Sequence, residues 1–143
     1  MKDQVTSIEQ SKRLIELGVP VEKASMVWRW GWVCGTVDEE NYELKIWQEC
    51  KMDKILAYQE FPESFIPAFT VADLLGIIPK TITDGRGIVY KLNIGICSST
   101  NHCWYLYWGD DERQIGWQER ISILNALEDA IEWIVITGRK LNL

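Results

Sequence analysis

The segment WRWGWV, residues 28–33, alternates large aromatic residues with other residues at the period of two that is typical of a β-strand. A strand over residues 27–34 places the indoles of Trp28, Trp30 and Trp32 on one face. Each indole offers roughly 150–250 Å² of mostly apolar surface, which is costly to leave in water. This face therefore needs a cover, which could be a helix of the same chain, a second subunit or a ligand.

The composition, apart from its tryptophan content, is that of one soluble globular domain. The chain has 143 residues, eight of them Trp, and a formal net charge of −6 from 15 basic and 21 acidic residues. The basic residues are scattered, so no nucleic-acid surface is predicted. No apolar run approaches the roughly 18–20 residues of a membrane span, and the first residues lack the apolar core of a signal peptide. We therefore expect a cytoplasmic protein that binds neither nucleic acid nor membranes and keeps its cysteines as free thiols.

Three helices are predicted. Overlapping capping boxes at Thr6–Glu9 and Ser7–Gln10 predict an N-terminal helix over residues 7–17. A shorter central helix is expected over residues 71–78, and a wide apolar stripe predicts a long C-terminal helix over residues 120–137.

The clearest strands after the aromatic one are Ile88–Cys97 and Cys103–Trp108, two alternating runs that predict an antiparallel hairpin. In the second run, one face carries Cys103, Tyr105 and Tyr107, and the other carries Trp104, Leu106 and Trp108. Weaker strand candidates are Tyr42–Cys50, Ile55–Tyr58 and Lys80–Thr83, and the predicted connections are Gly35–Asn41, Phe61–Pro67 and Gly109–Gly116.

This order of elements predicts an α+β fold. We expect a single globular domain, residues 1–143, built on a mainly antiparallel sheet of about five or six strands. The N-terminal helix, the short central helix and the C-terminal helix are expected to pack on one face of that sheet. The long C-terminal helix is then the expected cover for the strand indoles.

Three segments resemble a family of short uncharacterised proteins of gut anaerobes and their prophages or mobile elements. They are TSIEQSKRLIELGVPVEKASMVW (residues 6–28), IPAFTVADLLGIIPKTI (residues 66–82) and ALEDAIEWIVITGRKLNL (residues 126–143). The chain departs from the family pattern at Phe69, where the family usually has Trp, and in its Trp-rich segment at residues 28–32. The resemblance implies a small accessory protein encoded on mobile DNA, and it implies no activity, cofactor or catalytic residue.

Catalytic chemistry would have to use His102, the only histidine. The loop from Cys97 to Cys103 offers Ser99 or Cys103 as a nucleophile with His102 as its base. Adjacent residues of a strand point to opposite faces, however, so His102 and Cys103 are not expected to meet. We expect no cofactor and no metal site, because the C-x₅-C pair has no second half and the acidic runs at residues 38–40 and 110–112 are typical of solvated loops.

The aromatic residues are the only enrichment that points to a function. We expect a non-catalytic accessory protein that binds another protein, or itself as a homodimer, through this aromatic region. The alternative is a module that stacks a carbohydrate or a nucleotide on the same rings, and an enzyme is the third hypothesis. The candidate binding residues are Trp28, Trp30, Trp32, Trp47, Tyr105, Trp108 and Trp117.

Overall fold

A computed structural model describes residues 4–30, 42–47 and 53–143 of the chain. Its described residues form an α+β fold with four α-helices and seven strands in two antiparallel sheets. By their internal contacts the residues divide into two compact units, Met1–Asp73 and Leu74–Leu143. The predicted fold class is confirmed, although the strands divide between two sheets and do not join in one. The single-domain organisation of residues 1–143 stays a prediction.

The first unit contains a three-stranded sheet with the order β2-β1-β3. Its elements are α1 (Ile8–Glu16), β1 (Met26–Trp30), β2 (Tyr42–Ile46), α2 (Lys54–Glu60) and β3 (Phe65–Ala68), with a 3₁₀ turn at Val21–Lys23. Both outer strands pair antiparallel with β1, which places Leu44 and Ile66 on either side of Trp28. The aromatic strand is therefore the centre of this sheet.

The second of the two predicted capping boxes starts α1. The Ser7 hydroxyl accepts a hydrogen bond from the Gln10 backbone N–H, and the Gln10 side chain accepts one from the Ser7 N–H. The Thr6 hydroxyl has a different role, because it is buried, hydrogen-bonds the Ser11 hydroxyl at 2.7 Å and accepts from the Phe69 N–H at 2.9 Å. These contacts attach the start of the chain to the end of β3.

The second unit contains a four-stranded antiparallel sheet with the order β4-β5-β6-β7. Its strands are β4 (Thr81–Thr83), β5 (Val89–Ile96), β6 (Cys103–Gly109) and β7 (Gln114–Arg120), and α4 (Ile123–Ile136) follows them. Helix α4 begins at the N-cap Ser122 and packs on β6 and β7. The helix α3 (Val71–Ile77) lies at the sequence boundary between the two units.

Three local predictions were wrong. Residues 55–58, expected as a strand, lie in α2, because the Asp53 side chain accepts from two backbone N–H groups and caps a helix there. The expected loop at Phe61–Pro67 runs into β3, whose Pro67 is tolerated because β3 is an edge strand. The expected acidic connection Gly109–Gly116 contains the end of β6 and the start of β7.

The residues that cover Trp28 belong to the first unit. Its side chain packs in a buried cluster with Val5, Tyr42 and Ile66, and its indole N–H donates to the Thr6 carbonyl oxygen at 2.9 Å. Helix α4, which the sequence suggested as the cover, packs on the sheet of the second unit. In the described part of the chain, no helix is long and apolar enough to cross a membrane.

Candidate functional site

The predicted aromatic residues fall into a buried group and an exposed group. Trp28, Trp47 and Tyr105 are buried in their units, and Trp30 is half-buried beside the Trp28 cluster. Trp108 and Trp117 are 47% and 51% exposed, respectively. Trp32 lies outside the described residues, as do Cys34, Cys50 and the acidic run at residues 38–40.

One face of the second sheet is covered by α4. The rings of Tyr107 and Trp133 stack with centroids 5.7 Å apart, and the Tyr105 hydroxyl donates to the Asp129 carbonyl oxygen. Burial raises the pKa of both tyrosines far above the ordinary value. An ion pair between Arg120 and Asp129 joins β7 to α4 on the same side. The tyrosines of β6 therefore form the core of this unit and are closed to a ligand.

The opposite face of this sheet carries an aromatic surface, which we call the outer face. Tyr105 and Tyr107 point to α4, so alternation along β6 directs Trp104, Leu106 and Trp108 the other way. Their partners directly across on β5 share that side, and so does Trp117, the residue before the Tyr105 partner on β7. The outer face includes Lys91, Asn93, Gly95, Trp104, Leu106, Trp108, Asp110, Gln114, Trp117 and Glu119.

Gly95 allows the Trp104 indole to lie across the neighbouring strand. The two residues are cross-strand partners, and a Cβ at Gly95 would lie 2.4 Å from the Trp104 ring. The ring therefore occupies the space that any side chain at position 95 would fill. This close approach keeps Trp104 half-buried and flat, while Trp108 at the other end of the strand stands out into solvent.

A shallow concavity of about 460 Å³ lies on the outer face between Trp104 and Trp108. Its walls combine the rings of Trp104 and Trp108 with the amide of Asn93, the ammonium group of Lys91 and the carboxylate of Asp110. No ion pair is found for either charged side chain among the residues that the structure describes. The lining residues are Lys91, Asn93, Trp104, Leu106, Trp108 and Asp110.

Of the residues that define this surface, only Trp108 and Trp117 are among the binding residues predicted from the sequence. Trp104 was not among the predicted binding residues. It lies on the same face of β6 as Trp108, so the alternation of the strand could have identified it. Lys91, Asn93 and Asp110 carry no sequence signal of their own. Only the strand register brings the first two beside the indoles.

At the loop between β5 and β6, His102 and Cys103 point to opposite sides of the sheet, as strand alternation predicts. Cys97 and Cys103 are both free, and Cys103 is buried on the α4 side while Cys97 lies across from His102. The Cys97 thiol lies 3.2 Å from the Ser99 hydroxyl, and hydrogen bonds from Ser99 and then Thr100 lower the pKa of this thiol to about 7. The His102 Nδ1 lies 3.5 Å from a Glu119 carboxylate oxygen.

The acidic run at residues 110–112 is partly neutralised by arginines. Asp111 lies 3.9 Å from the Arg86 guanidinium and 3.7 Å from that of Arg113. Within the described ranges, no three His, Cys, Asp or Glu side chains come together in an arrangement suited to a metal ion.

Comparison of the chain with protein-family models, with curated proteins and with solved structures finds no match. No activity, ligand or partner is thus transferred from another protein.

Proposed function

We propose that this chain is a non-catalytic protein that acts by binding another protein through the outer face. The observation that carries the proposal is the failure of the usual alternation in β6. Antiparallel sheets with a helix on one side normally present polar residues to water on the other side. In β6, all three residues that point away from α4 are large and apolar, namely Trp104, Leu106 and Trp108.

The distribution of polarity on the outer face supports a protein partner. Its centre is aromatic and aliphatic, with the charged residues Lys91 and Asp110 towards one end and Glu119 towards the other. Protein–protein interfaces have the same anatomy, with a core depleted in charge and a polar rim. Tryptophan is also among the residues most enriched at binding hot spots. Two indoles that are half exposed provide the kind of anchors on which such interfaces depend.

The cellular setting is part of the proposal. A cytoplasmic location, an origin on a prophage or another mobile element and a lack of binding to nucleic acid follow from the sequence arguments and from the family resemblance. All three stay predictions.

A photo-crosslinking amino acid at position 117 tests the proposal in the native host. We expect it to capture a defined protein, which is then produced separately and titrated against the purified chain. The variant Trp108→Ser/Trp117→Ser should weaken that binding by more than about tenfold, because hot-spot side chains typically contribute 2 kcal/mol or more.

The matched control is Ile136→Ser, because Ile136 is 70% exposed but lies on α4. This variant should bind as the wild type does. The proposal is wrong if the two variants bind equally, or if a crosslinker at position 136 captures the same protein as readily.

The concavity favours a second candidate function, the binding of a small ligand by stacking. Two indoles flank a space of about 460 Å³, within the usual size range of ligand pockets. The opposite charges of Lys91 and Asp110 balance, which suits a neutral sugar better than a nucleotide phosphate. Titration with neutral sugars, with nucleotides as the comparison, should change the tryptophan fluorescence of the wild type and not that of Trp108→Ala. Unchanged spectra throughout would reject this candidate.

A further inference from the structure

We infer that the protein bound by the outer face is a second copy of this chain, packed face to face about a twofold axis that passes beside Trp108. The inference rests on the proposed function, since it names the partner of the same surface. Three observations support it: the placement of the charges, the position of Trp108 next to both of them, and the shape of the face.

Two charges on the outer face, Lys91 and Asp110, are self-complementary, while the third, Glu119, lies at the other end of the face, where the Thr100 hydroxyl donates to it. Lys91 is the cross-strand partner of Trp108, and Asp110 follows Trp108 by two residues. Both charged side chains line the same concavity, and no ion pair is found for either within the described ranges. A twofold axis between them places Lys91 of each copy against Asp110 of the other. This reciprocity is what an isologous interface requires, because one surface must complement itself.

The same axis brings the most exposed indole of β6 to the centre of the contact. Trp108 adjoins both charged residues and so lies close to the axis, where its ring meets the equivalent ring of the second copy. Hot spots cluster near the centre of an interface and tend to pair with hot spots of the partner. A partner with a surface of one sign would leave either Lys91 or Asp110 opposite a like charge, whereas a second copy neutralises both.

The shape of the outer face suits packing of sheet on sheet. Two sheets pack about 10 Å apart when side chains from both inner faces interdigitate. Strand spacing and rise per residue give a face of roughly 14 Å by 24 Å for the three long strands β5, β6 and β7. So small an area is typical of weak, transient interfaces, and we therefore expect a dimer whose formation depends on protein concentration.

Charge reversal tests the inference by sedimentation equilibrium over a wide range of protein concentration. Wild type should self-associate, and Lys91→Glu and Asp110→Lys should each raise the dissociation constant by more than about tenfold, because each places like charges in contact twice. An equimolar mixture of the two variants should associate nearly as well as wild type, since their heterodimer regains both ion pairs. Circular dichroism verifies that each variant is folded.

The matched control is Lys140→Asp, which reverses an exposed charge in the C-terminal segment and should leave self-association unchanged. A wild type that is monomeric at every concentration overturns the inference, as does a mixture that associates no better than the single variants. The proposed function fails separately: it falls if crosslinking at position 117 captures neither a second copy nor another protein. A captured heterologous protein with a monomeric wild type would refute the second copy alone.

Discussion

The two sheets of this protein differ in how far their tryptophan faces are buried. In the first sheet, the indole of Trp28 is 8% exposed, and residues of the same unit cover it and accept its N–H. In the second sheet, α4 covers the tyrosine side of β6, while the indole of Trp108 on the other side is 47% exposed. Strand β6 carries large apolar residues on both of its faces. An aromatic stripe thus identifies a face, and the residues packed against it decide whether that face is core or binding surface.

The strongest test of this comparison removes one indole from each sheet. Trp28→Ala should lower the free energy of unfolding by about 3–5 kcal/mol, because it leaves a cavity in the packed core of the first unit. Trp108→Ala should change it by less than about 0.5 kcal/mol at a dilution where the wild type is monomeric. Urea denaturation followed by circular dichroism measures both. Equal losses would show that the two indoles have the same environment.

A second test compares two glycines of the second unit that both have positive φ angles. At Gly116 a Cβ would lie 2.9 Å from the Trp133 ring, whereas at Gly138 nothing lies within 4 Å. Both alanine variants incur the left-handed backbone cost, and only Gly116→Ala also pushes against the helix that covers the tyrosine side. We expect Gly116→Ala to lose about 1–3 kcal/mol more in thermal or urea unfolding. A difference near zero would mean that this cover is loosely packed.

A third test compares a buried hydroxyl of the first unit with an exposed one of the second. Thr6→Val leaves the Ser11 hydroxyl and the Phe69 N–H without their partner, which should cost about 1–3 kcal/mol. Thr100→Val removes an exposed hydrogen bond to Glu119 and should cost less than about 0.5 kcal/mol. The same denaturation experiment applies. If Thr100→Val proves the more costly, the β5–β6 loop is more tightly held than its exposure indicates.

The smallest expected effect concerns reactivity on the two sides of the second sheet. The pKa of Cys97 is about 7, so its alkylation by iodoacetamide should rise through neutral pH as the thiolate forms. Ser99→Ala removes the largest cause of this lowering, so the midpoint should move to higher pH. Cys103 is buried and should react slowly at every pH. Peptide mapping by mass spectrometry follows each site, and equal rates at the two cysteines would contradict the assignment of faces.

Periodicity located most elements, and local capping chemistry explains one that was missed. The predicted hairpin at residues 88–97 and 103–108 is confirmed as β5 and β6, and the C-terminal helix as α4. The short run at residues 55–58 is a weak strand candidate but lies in helix α2, for which Asp53 is the N-cap. Strand β7 was not predicted, because its alternation is irregular around Gly116, where its register to β6 shifts.

The division into two sheets had no signal in the sequence, since pairing partners are chosen over long range. Strand β1 pairs with β3, which follows it by about forty residues, and nothing in the sequence of either strand identifies the other as its partner. The candidate site shows the same limit. Its indoles were visible as aromatic positions, but Lys91 and Asn93 became part of it only through the register of β5 against β6.

The sequence by itself determined which side chains share a face, because the pleat of a strand alternates directions whatever surrounds it. It also determined where α1 begins, because Ser7 and Gln10 form a capping box at the start of an apolar stripe. Only the tertiary structure decided that Tyr105 is core and Trp108 is surface, two positions of one strand with similar chemistry. The physical reason is that burial depends on which distant element supplies the opposing surface, and that choice is a property of the whole packed unit.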